Sequence, residues 1–331
     1  MQSAFLVFFT LFWSAGVLFF DGVIAEGFFK QFKSRHYPAA AGQVAHSEVK
    51  SHRGSKGGTS YEAIINYRFE AGGRTFTGAR LRYNSNFSDL ASAASLVALH
   101  PAGGTVQVFY NPDNPQDSLL SPGLDGSDFM LVLFLTPFNA IMLGFWIWLG
   151  GWLRERLFRP VAGGMKIIAD GMSTRVRLPQ FGAAGWGLVT MGGLGFVSIF
   201  IVGFSTKMQP SVGLILTVIG VVYLAGAGVY LWKRREIRAG LDDLVINPAA
   251  GTLDLPETFG RKQRVTASLA DIESLTVEKI AHTSSKGGTS YTYAPTVCLR
   301  GMEAGEQKLA DWSDKVKADD FAEWLRKQLG L

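Results

Sequence analysis

The chain has 331 residues, a net charge of +5 and a charged fraction of 18%, below the roughly 25% of soluble domains. Its single cysteine, Cys298, excludes an intrachain disulfide framework and a multi-cysteine metal site. The basic surplus does not point to nucleic acid: residues 30–128 carry ten basic and eight acidic side chains, residues 233–331 fifteen of each, and residues 154–180 six against two, so the excess lies beside apolar segments.

Residues 4–29 form the first apolar segment. At about 1.5 Å per residue, some 20 residues cross a hydrocarbon core of about 30 Å. The segment opens Met1-Gln2-Ser3 with no basic n-region, and no small-x-small cleavage signature follows. An uncleaved anchor helix is therefore expected in preference to a signal peptide. Asp21 and Glu26 near its far end have two readings, interfacial placement or an ionisable group inside a helix bundle.

Residues 33–125 read as a β-rich domain. Tyr61, Ala63, Ile65, Tyr67 and Phe69 alternate with polar residues, the period of a strand with one buried face. Ala71-Gly72-Gly73-Arg74 supplies a turn before Thr75-Phe76-Thr77. Ser88 or Asp89 is placed to cap a short helix through Leu99, which His100-Pro101 ends. Val106, Val108 and Tyr110 mark a further strand, closed by Asn111-Pro112-Asp113-Asn114-Pro115, where Tyr110, Asn111, Pro112 and Pro115 read as a structural turn.

This closing stretch, Val106-Gln107-Val108-Phe109-Tyr110-Asn111-Pro112-Asp113-Asn114-Pro115 followed by Leu119-Leu120, resembles a motif of a bacterial membrane-protein family of unknown function. The resemblance spans about residues 44–152. It implies a small β-rich module between membrane helices and no activity.

The second apolar segment is residues 129–153, with Pro137 expected to kink it. Residues 154–180 read as a basic connector. Two further segments, 181–204 and 212–232, form a hairpin around Ser205-Thr206-Lys207-Met208-Gln209-Pro210-Ser211 and end at Lys233-Arg234-Arg235. The positive-inside rule places 154–180 and 233–331 in the cytoplasm, Lys207 and residues 33–125 outside, and both termini inside. Gly213, Gly220 and Ala227 recur every seven residues as a helix-packing seam, read either as intramolecular packing or as a homodimer face. Gly187, Gly192 and Gly195 give the preceding helix a similar small face.

Residues 241–331 hold strand candidates at 244–246, 251–255, 264–268, 272–277, 291–299 and 307–312. Asp319 is placed to cap a final helix carrying Phe321, Trp324, Leu325 and Leu329 on one face. Several short strands followed by one amphipathic helix resemble a bacterial pleckstrin-homology-like domain.

The most specific internal feature is a repeat: Ser-Lys-Gly-Gly-Thr-Ser-Tyr occurs at 55–61 and again at 285–291, each time after a histidine three residues earlier. Two readings stand for Ser55, Lys56, Gly57, Gly58 and Thr59, and for Ser285, Lys286, Gly287, Gly288 and Thr289. One is a hairpin loop used twice; the other is an anion nest for a phosphate or lipid head group. The lysine precedes the glycines, so neither copy is a Walker loop. The five histidines show no metal-ligand spacing beyond His46 and His52, which lie six residues apart and read as solvated, and no nucleophile elbow or His-Glu-x-x-His helix occurs.

The expected fold class is an α+β integral membrane protein: four transmembrane helices, a small β-rich domain between the first two, and a C-terminal PH-like barrel with a terminal helix. The expected function is a non-enzymatic bacterial inner-membrane protein, binding, sensing or scaffolding, without catalytic residues, cofactor, metal or nucleic acid. Its partners would be the lipid bilayer, a protein on either side, or a second copy. The alternative is an accessory subunit of a membrane enzyme or transporter whose chemistry lies in a partner chain.

Overall fold

A computed structural model describes residues 2–53, 59–83, 90–157, 164–178, 181–259, 261–283, 289–301 and 305–331. The chain opens with helix α1 (Gln2–Ser34), followed by strands β1 (Ala39–Arg53), β2 (Thr59–Ala71) and β3 (Arg74–Gly78). Helix α2 (Leu90–Leu99), strands β4 (Thr105–Asn111) and β5 (Asn114–Leu119) and helix α3 (Gly126–Leu157) come next. A hairpin of β6 (Lys166–Asp170) and β7 (Ser173–Arg177) precedes helices α4 (Ala183–Thr206) and α5 (Val212–Ala239). The chain then runs through β8 (Asp243–Asn247), β9 (Thr252–Leu255), β10 (Val265–Ser268), β11 (Ile272–Thr283), β12 (Thr289–Leu299) and β13 (Glu306–Lys308) to helix α6 (Lys315–Leu329).

The protein is α+β, and α1, α3, α4 and α5 are each long and apolar enough to cross a membrane. These helices overrun the apolar segments. Helix α1 continues through Lys30 to Ser34, and α5 continues seven residues past Trp232, where Lys233 pairs with Glu236 at 2.7 Å. Lys, Arg and Glu are good helix formers, so the end of an apolar run does not end the helix.

Two compact units divide the chain. The first comprises Met1–Met142 and Gly192–Val222. Its sheet is antiparallel, in the order β3-β2-β1-β4-β5, with Tyr67, Phe69 and Val108 buried against Phe76 and Tyr110. Gly72 and Gly73 turn β2 into β3 at φ 55° and 74°, the left-handed conformation that glycine adopts without strain. At the centre lies β1, which periodicity does not announce. A methyl on Gly42 would sit 2.7 Å from both the Arg68 carbonyl oxygen and Val108 Cγ2, so this position of the strand leaves no room for a side chain. Beside the sheet, α1 packs on α3: Trp13 stacks on Phe138 at 6.3 Å, and Asn139 Nδ2 donates to Asp21 Oδ1 at 3.0 Å. That bond ties Asp21 to α3.

The second unit comprises Leu143–Met191 and Tyr223–Leu331. Strands β6 and β7 come from the stretch read as a connector. They extend a five-stranded antiparallel sheet, β10-β9-β8-β7-β6, so this folded region begins near Met165 and not at 241. A three-stranded sheet, β11-β12-β13, faces the same core as α6; Leu244, Leu253, Val297, Leu309, Phe321 and Leu325 are all fully buried there. The cap of α6 is Asp314, whose Oδ1 accepts from Val316 N at 2.9 Å. Asp319, expected as the cap, lies inside the helix and pairs with Lys315 at 3.2 Å.

Intramolecular helix packing uses one of the two small-residue faces. Gly192 and Gly195 of α4 lie against Ala140 and Thr136 of α3, and Gly187 of α4 lies against Gly226 and Tyr230 of α5. Among the described residues nothing lies within 4 Å of a methyl on Gly213 or Gly220, and Ala227 is exposed, so the seven-residue seam packs against none of them. Gly226, one residue away, makes the contact instead: a methyl there would sit 2.9 Å from Met191 Cβ. Gly226→Leu should therefore lower thermal stability in detergent by about 1–3 kcal/mol, the usual cost of overpacking. Gly220→Leu should be close to neutral; a loss as large as that of Gly226→Leu would reveal a second copy on that face.

Candidate functional site

The repeated stretches connect β1 to β2 and β11 to β12. Residues 55–58 and 285–288 fall outside the described residues, but Thr59 and Thr289 and the strand ends around them are in view. His52 pairs with Ser60 and Arg53 with Thr59 across β1–β2; His282 pairs with Ser290 and Thr283 with Thr289 across β11–β12. In each hairpin the Ser hydroxyl donates to the His carbonyl at 3.5 Å. The imidazoles meet different partners, Glu62 Oε2 at 2.9 Å and Thr292 Oγ1 at 2.8 Å. These flanks are those of a hairpin turn, and each copy belongs to a different unit.

Tyr110, Asn111, Pro112 and Pro115 form a structural turn. Asn111 pairs with Asn114 and its Oδ1 accepts from Asp113 N at 3.1 Å, while the Tyr110 ring lies 5.7 Å from that of Phe69. Pro115 sits on β5, the edge of the sheet, where a missing amide leaves no ladder bond unmade.

A buried polar joint, absent from the sequence reading, fixes the sheet to α1 and α3. Asp125 caps α3 by accepting from Ser127 N at 2.8 Å, and Asp128 returns the contact by accepting from Asp125 N at 2.9 Å, a reciprocal capping box. Arg82 reaches both carboxylates, at 3.0 Å to Asp125 and 2.7 Å to Asp128, and also donates to the Gly123 carbonyl at 2.9 Å. From α1, the fully buried Gln31 donates to the carbonyls of Ser121 (2.9 Å) and Gly123 (2.6 Å) and accepts from Tyr83 N at 2.9 Å. Burial first, then hydrogen bonds to Tyr37 and Asp117, push the Tyr83 phenol far above its usual range, so it stays protonated and donates to Asp117 at 2.9 Å.

Beside this joint lies a cleft of about 960 Å³. One wall is α2, with Leu96, Leu99 and His100; another is Leu120, Ser121, Asp125 and Ser127; the third is the α4–α5 turn from Gly203 to Pro210. The turn holds two successive non-glycine residues in the left-handed region, Lys207 at φ 52° and Met208 at φ 63°. Such residues cost roughly 1–3 kcal/mol each and persist only where surroundings hold them. Here Met208 N donates to the Gly203 carbonyl at 2.9 Å, and its thioether packs where Gly203 has no side chain. Sequence reasoning noticed Lys207 only as a topological marker. Four segments, at 81–82, 92–100, 120–127 and 203–210, build the cleft, so no local pattern gives it away.

A more open and more polar groove of about 910 Å³ lies on the sheet, lined by His46, Asn66, Arg68, Thr77, Arg80 and Gln116 among others. Among the described residues, no group of three or more His, Cys, Asp or Glu is placed to hold a metal ion.

No curated protein and no solved structure matches the chain. Residues 40–125, which carry the first sheet and its closing turn, match the family described as a domain of unknown function (DUF3592).

Proposed function

We propose that this chain is a non-enzymatic sensor or coupling protein of a bacterial inner membrane, with both termini in the cytoplasm and the β1–β5 sheet on the opposite side. The cleft binds a ligand, and the second unit acts as a cytoplasmic PH-like module for a protein or lipid head group. Two antiparallel sheets and a terminal helix around one core support the PH-like reading. The basic residues at 154–177 and 233–238 support the orientation.

The observation that carries the proposal is the path of α4 and α5. Their connecting turn is a wall of the cleft, while their other ends lead directly from β7 and into β8, neighbouring strands of the cytoplasmic sheet. A displacement of the turn is thereby passed to that sheet along two helices.

The test has two arms. In a Cys298→Ser background, Asp113→Cys should label in intact spheroplasts and Ser313→Cys only after lysis; the reverse pattern would reject the orientation. Filling the cleft with Leu96→Trp should change amide exchange in β7 and β8 by about 5-fold or more, the lower end of ordinary allosteric coupling. Altered exchange around the cleft with β7 and β8 untouched would reject the coupling.

A further inference from the structure

The cleft has a distinct chemical character: apolar on one side, lined by the exposed Lys207 on another, and continuous with the surface of a long apolar helix. Leu96, Leu99, Leu120, Phe204 and Met208 supply apolar lining, and Leu99 and Phe204 stay 73% and 80% exposed. Two of its basic side chains differ in what they face. Arg82 is outnumbered by its two carboxylate partners, Asp125 and Asp128, and offers an anion no net positive charge. Lys207 is exposed, and among the described residues it makes no ion pair. Its charge, with the Gln209 amide two residues on, is left to act on whatever enters.

Below the mouth runs a ladder of rings on α4. Phe196 and Phe200 lie 5.1 Å apart in edge-to-face contact, and Phe200 and Phe204 are stacked at 6.3 Å. All three are exposed, and the last lines the cleft. The ladder therefore runs continuously from the apolar face of α4 to a cation.

We propose that the cleft holds the head group of an anionic membrane lipid, with one acyl chain lying along Phe196, Phe200 and Phe204 and the phosphate against Lys207. This rests on the reading that α4 crosses the membrane and that the cleft is a ligand site. A soluble phosphate would use Lys207 and Gln209 but not the ladder; a zwitterionic lipid would use the ladder without a net electrostatic gain. The anionic lipid uses both. One basic residue near a membrane surface attracts an anionic lipid by an amount equivalent to roughly fivefold in occupancy.

Full-length protein in phosphatidylcholine nanodiscs, given trace phosphatidylglycerol or phosphatidylcholine with a diazirine-bearing chain, tests this directly. Adducts mapped by mass spectrometry should fall on residues 196–209, roughly fivefold more with the anionic probe. Lys207→Gly should bring that ratio to about one while raising the melting temperature, because glycine adopts φ 52° without strain. A variant that merely misfolds would lower it. Phe204→Ser should reduce adducts from both probes. Equal yields from the two probes, adducts spread evenly over α1 and α3, or a ratio that survives Lys207→Gly would overturn the proposal. Displacement by free glycerol 3-phosphate would reassign the site to a soluble phosphate. Should these results go against it while Leu96→Trp still alters exchange in β7 and β8, the ligand class is wrong and the coupling stands.

Discussion

Arg177→Ala is expected to destabilise the second unit by about 3–5 kcal/mol, the loss typical when one partner of a buried ion pair is removed. Asp243 is the reason: its side chain is 2% exposed, and Arg177 meets both of its oxygens, at 3.2 Å through Nε and 3.4 Å through Nη2. The same Nη2 donates to the Ile237 carbonyl in the last turn of α5 at 2.6 Å. Around the pair, Arg264 donates to the Asp243 carbonyl at 2.7 Å, and Gly240 turns the chain at φ 71° to bring Asp243 into place. Alanine leaves the carboxylate out of water without the guanidinium that meets both its oxygens, and a helix-end carbonyl without that donor. Replacing both charges, as Arg177→Leu with Asp243→Leu, removes the need for compensation and should recover much of the loss. Tryptophan-monitored unfolding of the full chain in detergent decides the matter; a loss below about 1 kcal/mol for Arg177→Ala would mean that water already reaches Asp243. The clamp also bears on coupling, since it ties β7, β8 and the end of α5 at one point. Where it is broken, exchange in β8 should no longer respond to Leu96→Trp.

How much of this was open to sequence reasoning depended on how local each pattern is. Four helices were legible because each carries its apolar run in one contiguous stretch, but their ends were not, since Lys30 and residues 233–239 remain helical beyond it. Strands β2, β4 and β12 alternate visibly. The central strand β1 does not, because Gly42 is confined between its two neighbours and large side chains are excluded where periodicity would look for them. Hairpin β6–β7 was lost inside a basic linker because its partner lies across two long helices: Arg177 pairs with Asp243. A four-residue window cannot see that. Asp319 was expected as the cap of α6, but Asp314, its backbone extended at φ −106° and its side chain accepting from Val316 N, takes that place five residues earlier. The repeat was conspicuous in sequence, yet its described flanks are hairpin ends, whereas Arg82, Gln31 and the cleft come together from segments dozens of residues apart.

Gly126→Ala carries the other large expected effect, and it bears directly on the cleft. Gly126 is the first residue of α3, between Asp125 and Ser127, both of which line the cleft. A methyl group there would overlap the Pro210 carbonyl oxygen and sit 2.7 Å from the Pro210 carbonyl carbon, which is backbone and cannot rotate away. Either α3 or the α4–α5 turn must shift, at a cost of about 1–3 kcal/mol or more. Gly144→Ala in the same helix is the control: nothing lies within 4 Å of that methyl, so removing a helix-interior glycine should stabilise by roughly 0.5–1 kcal/mol. Thermal unfolding in detergent should thus move in opposite directions for two identical substitutions. A shift of the turn would also carry Lys207 with it, so the anionic-to-zwitterionic labelling ratio should fall in Gly126→Ala and hold in Gly144→Ala. If Gly126→Ala proves as stable as the native chain and keeps that ratio, the turn is loosely held against α3. It could then yield to a ligand without displacing α4 and α5, and the proposed coupling would lose its first mechanical link.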